Sequence, residues 1–277
     1  AGRPSSPRLL IVAHAEALGG DALAALRAAA PGLRIGAVCV DATFRAGTMA
    51  AFRDRVAGAD AGFLTTGDPA AVAPLGFPRG RLFFLPNPVD PSVETFRAFV
   101  RPREALARDG VFLGAGIGRR EEQLAALKAS PPPDYRFLHG GRAGARLTST
   151  EFLETLGNAA VAPNLPLDDL DPALSPRLYS SNRIAQILGQ GVTALTLARS
   201  RMEDLYEDGV VPYADRADLA ARMIRLREDD AARRRIGERG WRIARERTDC
   251  AVVARWMRAV LLDEPATGFA WPTGPLS

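Results

Sequence analysis

Two hydrophobic periods alternate along this chain. Short runs of consecutive apolar residues are separated by alanine-rich stretches whose apolar positions recur every three or four residues. The runs are RLLIVAH (8–14), RIGAVCV (34–40), AGFLTT (61–66), RLFFLP (81–86), GVFLGA (110–115), YRFLHG (135–140), AAVAPN (159–164) and VTALTL (192–197). Helical patterns fill 20–30, 47–58, 119–129, 149–157 and 182–190, and then 216–228, 230–246 and 249–262 in succession. A strand that is apolar at nearly every position has both faces covered. Strand–helix alternation of this kind predicts parallel sheets with helices on both sides. In the last helix Val253, Trp256, Met257, Val260 and Leu261 share one face, which predicts a strongly buried side. The tail after Leu262 is rich in Pro, Gly and Thr and predicts no regular element.

Regular structure is interrupted by Pro86, Pro88, Pro91 and Pro102, and a new strand begins near residue 111. The expected fold is therefore α/β, with two Rossmann-like, doubly wound parallel-sheet domains. Their expected extents are 1–103 and 104–248, with 249–277 forming a helix that crosses back and an irregular tail. With about four strands, the first half is short for such a unit.

The length of 277 residues suits two domains, and 47% apolar with 25% charged residues is ordinary globular composition. There is no stretch of eighteen apolar residues. The opening AGRPSSPRLLIVAHAE lacks the pattern of a signal peptide; with no initiator methionine, the chain reads as an internal piece of a longer protein. Cys39 and Cys250 have no metal-like spacing and suit a reduced, cytoplasmic compartment. The net charge of +4 and pI near 9.6 invite a nucleic-acid reading. Against it, Lys128 is the only lysine, so the arginine excess reads as coding bias, and the basic residues are interleaved with acids along C-terminal helices. No nucleic-acid partner is expected. A solvated helix face is the first reading of these charges, and an anionic membrane or lipid-linked partner the second.

Ligands of open parallel sheets sit at the carboxyl ends of strands. Those positions hold His14, Asp41, Thr65, Thr66, Asp68, Asn87, Asp90, the stretch GAGIGRR (114–120) and His139. GAGIGRR departs from the dinucleotide fingerprint because Arg119 stands where the third glycine belongs, which counts against a nicotinamide cofactor. It reads instead as a turn at which Gly116 lets backbone approach a ligand, with Arg119 or Arg120 near a phosphate. His14 and Asp41 are the candidates for a general base. The most informative stretch is Ser180-Ser181-Asn182-Arg183, directly before a helix with Ile184, Ile187 and Leu188 on its apolar face. Capping needs one such polar residue. Four in a row, ending in a guanidinium, fit a diphosphate or carboxylate held at a helix N-terminus.

The order of these pieces resembles the C-terminal domain of GT-B glycosyltransferases, in the spore-maturation-type, glycosyl transferase family 1-like group. The residues that carry the likeness are Ser181, Arg183, Gly191, Thr196, Asp204-Leu205-Tyr206, Gly209, Tyr213, Asp215, Asp218-Leu219, Arg235-Ile236 and Gly240, with FLPNPVD (84–90) as the segment crossing between domains. The resemblance implies transfer of a sugar from a nucleotide-diphosphate donor, bound mostly by the C-terminal domain. The acceptor would be a glycan or lipid-linked molecule of bacterial cell-surface polysaccharide synthesis. It implies neither metal nor other cofactor, and a cytoplasmic protein that can lie peripheral to the inner membrane. Donor contacts are expected from Asn87, Gly116, Arg119, Ser180, Ser181, Asn182 and Arg183. Many retaining members carry a pair of acids where Gln186 and Leu178 stand here, so a mechanism through that pair is not expected. The short first domain and the missing acids leave room for a partner subunit or homo-oligomer. They also leave room for a catalytically silent nucleotide- or glycan-binding subunit.

Overall fold

The structure is a computed structural model that describes residues 9–13, 18–114, 119–140, 147–168, 170–174 and 176–277. The chain forms two compact units, one of residues up to Pro86 together with Ala251–Ser277, the other of Asn87–Cys250.

The first unit contains β1 (Leu9–Ala13), α1 (Gly20–Ala29), β2 (Arg34–Cys39), α2 (Ala46–Gly58), β3 (Ala61–Leu64), α3 (Pro69–Val72) and β4 (Leu82–Phe84). Its four strands lie parallel in the order β1-β2-β3-β4, as the apolar runs predict. Ile35, Ala37, Phe63, Leu64, Leu82 and Phe84 are buried within it. The C-terminal segment completes this unit. Trp256 is wholly buried, with its ring edge-on to Phe63 at 5.2 Å and to Trp271 at 5.8 Å. The tail lacks a regular element but is held along the edge of β4. Leu276 N–H donates to the Leu82 carbonyl at 2.7 Å, and Gly80 N–H donates to the Ser277 carbonyl at 2.7 Å. Backbone bonds of this kind cover a sheet edge that would otherwise be open.

The second unit contains β5 (Arg108–Leu113), α4 (Arg119–Ala129), β6 (Phe137–Gly140), α5 (Ser149–Gly157), β7 (Ala159–Asn164), α6 (Asn182–Gly189), β8 (Thr193–Leu197), α7 (Glu203–Tyr206), β9 (Val210–Tyr213), α8 (Arg216–Glu228) and α9 (Asp230–Arg247). All five strands are parallel, in the order β6-β5-β7-β8-β9. Phe112, Val161, Leu195, Tyr213, Leu219 and Met223 belong to its core. β9 and the single turn α7 are elements that the hydrophobic pattern does not reveal. VVPY has four residues including Pro212, and such a strand is tolerated at a sheet edge, where one side needs no donors. Gly240 of α9 abuts the backbone of Gly209, and a Cβ at either position would collide with the other. That contact sets the spacing between α9 and the loop before β9. The last helix, α10 (Cys250–Leu261), begins with the last residue of this unit and otherwise belongs to the first.

The segment from Asn87 to Phe99 runs against α6. Glu94 is buried there; its carboxylate accepts from Asp90 N–H at 2.8 Å and touches the backbone of Gly189, the last residue of α6. Burial pushes the Glu94 carboxyl up to about 7, with the Asp90 charge adding to the effect; the Asp90 N–H and the Arg245 charge oppose it. The folded state therefore keeps a proton that the unfolded chain has already released above its ordinary value of 4.5, and stability falls as pH rises from there to about 7. Glu94→Gln should remove this dependence. The expected result is a variant more stable than the parent at pH 8, by up to roughly 3 kcal/mol, with the gain shrinking toward pH 5, read from urea unfolding at both pH values.

Candidate functional site

The second sheet reverses its direction of growth once. From β5 the chain moves to one side to form β6, then returns to the other side to form β7. Such a reversal leaves a crevice outside the carboxyl ends of the two strands. Here those ends are Leu113 and Asn164. The first sheet grows in one direction through its described strands and has no reversal among them.

Arg183 occupies the crevice. Its Nε donates to the Leu113 carbonyl at 3.0 Å. Its Nη1 lies 3.4 Å from Asn164 Oδ1 and 3.5 Å from the Leu165 carbonyl. The guanidinium carbon stands 4.4 Å from the centroid of the Phe112 ring, a cation–π distance. Residue 114 must be glycine for this placement, because a Cβ there would collide with the guanidinium. Helix α6 aims the side chain. Ser181 is its N-cap, with Oγ accepting from Ile184 N–H at 3.3 Å and donating to Asn164 Oδ1 at 3.0 Å. Asn164 thus joins the cap and the guanidinium. The amides of Asn182 and Arg183 are in the first turn and have no intrahelical acceptor.

Arg183 is partly buried and forms no ion pair among the described residues. Burial pulls its pKa down from 12.5 to about 10; the charge of Arg120 pulls the same way, and the phenols of Tyr179 and Tyr213 oppose. Arg120 lies on the same side. It donates to the Pro166 carbonyl at 3.1 Å and the Leu165 carbonyl at 3.3 Å, and stands 5.7 Å from the Phe112 ring. Burial lowers its pKa too. A desolvated guanidinium beside a second cation costs on the order of a few kcal/mol. An incoming diphosphate would relieve that cost, because the planar forks and free helix amides match its oxygens.

The structure distributes the remaining predicted residues as follows. Ser180 is wholly buried: its Oγ accepts from Asn87 N–H at 2.9 Å, and its carbonyl accepts from Asn87 Nδ2. The Tyr206 hydroxyl lies against those of Ser180 and Thr248, and burial pushes its pKa up to about 12. Ser180 and Asn87 therefore satisfy one another. Asn182 is exposed at the first position of α6. Arg119 is more than half exposed and pairs with Asp168 at 3.4 Å, so it is Arg120 that enters the crevice. Asp41 lies just past β2 in the first unit, paired with Arg45 at 3.3 Å. His14 and Gly116 lie outside the described residues. Asn164, Tyr179 and Tyr213 are additions to the site. Asn164 is legible as the last residue of the seventh apolar run, but the two tyrosines are brought together only by the fold.

Two parallel-sheet α/β units, the second with a partly buried guanidinium at its switch point, define a GT-B glycosyltransferase architecture. Residues 119–259, just over half of the chain, match the family described as glycosyl transferase-like, and the chain belongs to that family. Among solved structures, sucrose-phosphate synthase from Thermosynechococcus elongatus superposes with a TM-score of 0.61 at 14% identity, covering 92% of this chain and 73% of that one. HepE of Anabaena, solved with UDP and glucose, gives 0.63 at 11% identity, covering 92% and 78%. An alpha-glucosyltransferase solved with UDP-glucose and DNA gives 0.63 at 11% identity, covering 92% and 80%. No curated protein sequence matches the chain.

Ser180→Ala removes the acceptor of a buried N–H and the neighbour of a buried phenol. It should cost roughly 1–3 kcal/mol in urea unfolding, whether or not any ligand is present.

Proposed function

We propose that the chain is a glycosyltransferase that moves a sugar from a nucleoside-diphosphate donor to a glycan or lipid-linked acceptor of bacterial cell-surface polysaccharide synthesis. The observation that carries this is Arg183, a partly buried cation at the sheet's switch point with no carboxylate bonded to it among the described residues. Family membership and the UDP-bound relatives support the class of donor. The diphosphate oxygens take the free N–H groups of α6, the remaining donors of Arg183 and the charge of Arg120. These groups offset the donor's charge without a bound metal ion. Asn182, Arg119 and Gly116 are the further candidates for donor contact, the first two exposed. Activation of the acceptor hydroxyl falls to the first unit, with Asp41 or His14 as base; Asp41 is a partly exposed carboxylate just past a strand end. The working compartment is the cytoplasm.

A second reading is a catalytically silent nucleotide-binding subunit, completed by a partner. Gln186 and Leu178 favour it. Leu178 is buried, with φ of 53°, and its N–H donates to the Ser200 carbonyl at 2.8 Å, so no carboxylate serves the site from there.

Calorimetric titration with UDP-glucose tests the donor site. Arg183→Met should weaken binding roughly ten- to hundredfold, the worth of a charge-assisted contact. Gly114→Ala should do the same by displacing the guanidinium. Unchanged affinity in both variants would remove the diphosphate assignment. Asp41→Asn should leave donor affinity intact and lower turnover by roughly a hundredfold or more if Asp41 is the base. A parent protein that binds UDP-sugars yet neither transfers nor hydrolyses any of them would establish the silent reading.

A further inference from the structure

Six of the seven arginines of helix α9 fall into two sets. Arg233 pairs with Asp230, Arg239 with Glu207 and Asp208, and Arg247 with Glu207. Arg234, Arg235 and Arg242 form no ion pair among the described residues, and all three are exposed. Arg234 and Arg235 border the segment that follows Asn87. Arg233 fixes that segment by donating to the Arg101 carbonyl at 2.7 Å, and Arg234 by donating to the carbonyls of Phe99 at 2.8 Å and Val100 at 3.3 Å. Held in this way, the segment leaves Val100 52% exposed and Val93 49% exposed. Phe99, Val100, Ala231, Arg234, Arg235 and Glu238 line an open groove. Beside it, Trp241 lies 5.5 Å from the Phe99 ring and carries two further guanidinium groups, Arg97 at 5.0 Å and Arg245 at 4.5 Å. Arg97 is exposed and, like Arg234 and Arg235, has no carboxylate partner among the described residues. Glu238 is the one acid in the lining of the groove.

Exposed aliphatic side chains and a tryptophan set among unpaired guanidinium groups match a lipid–water boundary. The cations reach phosphate head groups, while Val100 enters the head-group–acyl boundary. A nucleic acid would engage the arginines but would leave Val93 and Val100 in water. We propose that this face of the second unit docks reversibly on an anionic phospholipid surface. No described helix is long and apolar enough to cross a membrane, so the contact is peripheral. It uses none of the residues of the proposed donor site, and its failure would leave the donor assignment untouched.

Co-sedimentation of the whole protein with vesicles tests the proposal. Vesicles of phosphatidylcholine containing about one-third phosphatidylglycerol should pellet the protein, pure phosphatidylcholine vesicles should not, and raised salt should release it. Arg235→Glu should weaken vesicle binding by at least roughly fivefold, the worth of one basic residue near a charged bilayer. Val100→Asp should weaken it as well. Both residues are exposed and hold no side-chain hydrogen bond, so both variants should fold and keep the parent's affinity for UDP-glucose. Arg97→Glu serves as an independent third variant. Equal pelleting with both kinds of vesicle would overturn the proposal, as would full retention by all three variants. So would binding to a single-stranded oligonucleotide without binding to anionic vesicles.

Discussion

A partly buried guanidinium with no carboxylate bonded to it among the described residues is the constraint around which the second unit is arranged. Arg183 is kept in the crevice by two carbonyls, one amide oxygen and the face of Phe112. None of these neutralises it, and Arg120 makes its position worse. A sequence under no pressure except stability would place an acid here, or remove the charge, because a buried unpaired ion is among the costliest features a fold can carry. Gly114 is empty of side chain for the same reason: the guanidinium fills the space that a Cβ would need. Strand end, glycine, cap and cation are the features on which the proposed anion site rests.

The helix that carries this cation is secured at both ends by one stretch of chain. Near its start, Asn87 bonds to Ser180 through backbone N–H and side-chain amide. At its end Glu94 rests on Gly189, Gln190 Oε1 accepts from Phe96 N–H at 2.9 Å, and the Gln190 carbonyl accepts from Ala98 N–H at 3.1 Å. The segment entering the second unit thus lies beside α6 from cap to C-terminus. The return segment joins it there: Val89 N–H donates to the Thr248 carbonyl at 2.9 Å, and Cys250 N–H to the Val89 carbonyl at 2.9 Å. Both chain crossings between units are consequently bonded to one another, and one of them to the residue before the N-cap of α6. That anchoring is why Ser180 is buried and polar at once.

The strands were legible in the sequence because a parallel sheet covered on both faces demands apolar residues at almost every position, and few other structures do. β9 escaped because an edge strand of four residues with a proline carries too little of that signal. The start of α6 was legible from four consecutive polar residues, but their roles differ more than the run suggests. Ser180 ties down the crossing, Ser181 caps, Asn182 is exposed, and Arg183 alone enters the crevice. The choice between Arg119 and Arg120 turned on the rotation of α4. Neighbours on a helix point about 100° apart, so one pairs with Asp168 at the surface while the other faces Phe112. No local pattern sets that rotation; the packing of Leu124 and Leu127 against the core does.

The arginine excess behaves in the same way. As a bulk quantity, the net charge of +4 says little, because the fold assigns these side chains to separate tasks. Arg103 and Arg136 flank Asp109, which is 1% exposed; burial alone would raise its carboxyl, but hydrogen bonds from the two guanidinium groups hold it down to about 2. There the cations solve a burial problem posed by an acid. Arg233 is itself buried and binds the crossing segment through backbone oxygens while paired with Asp230. Arg183 is the inverse of Asp109: a partly buried charge with no counter-ion among the described residues. Comparing the two separates structural from functional charge. A buried ion with its partner supplied is part of the scaffold, whereas a partly buried cation whose described neighbours supply only dipoles and like charge is what the proposed donor site is built on.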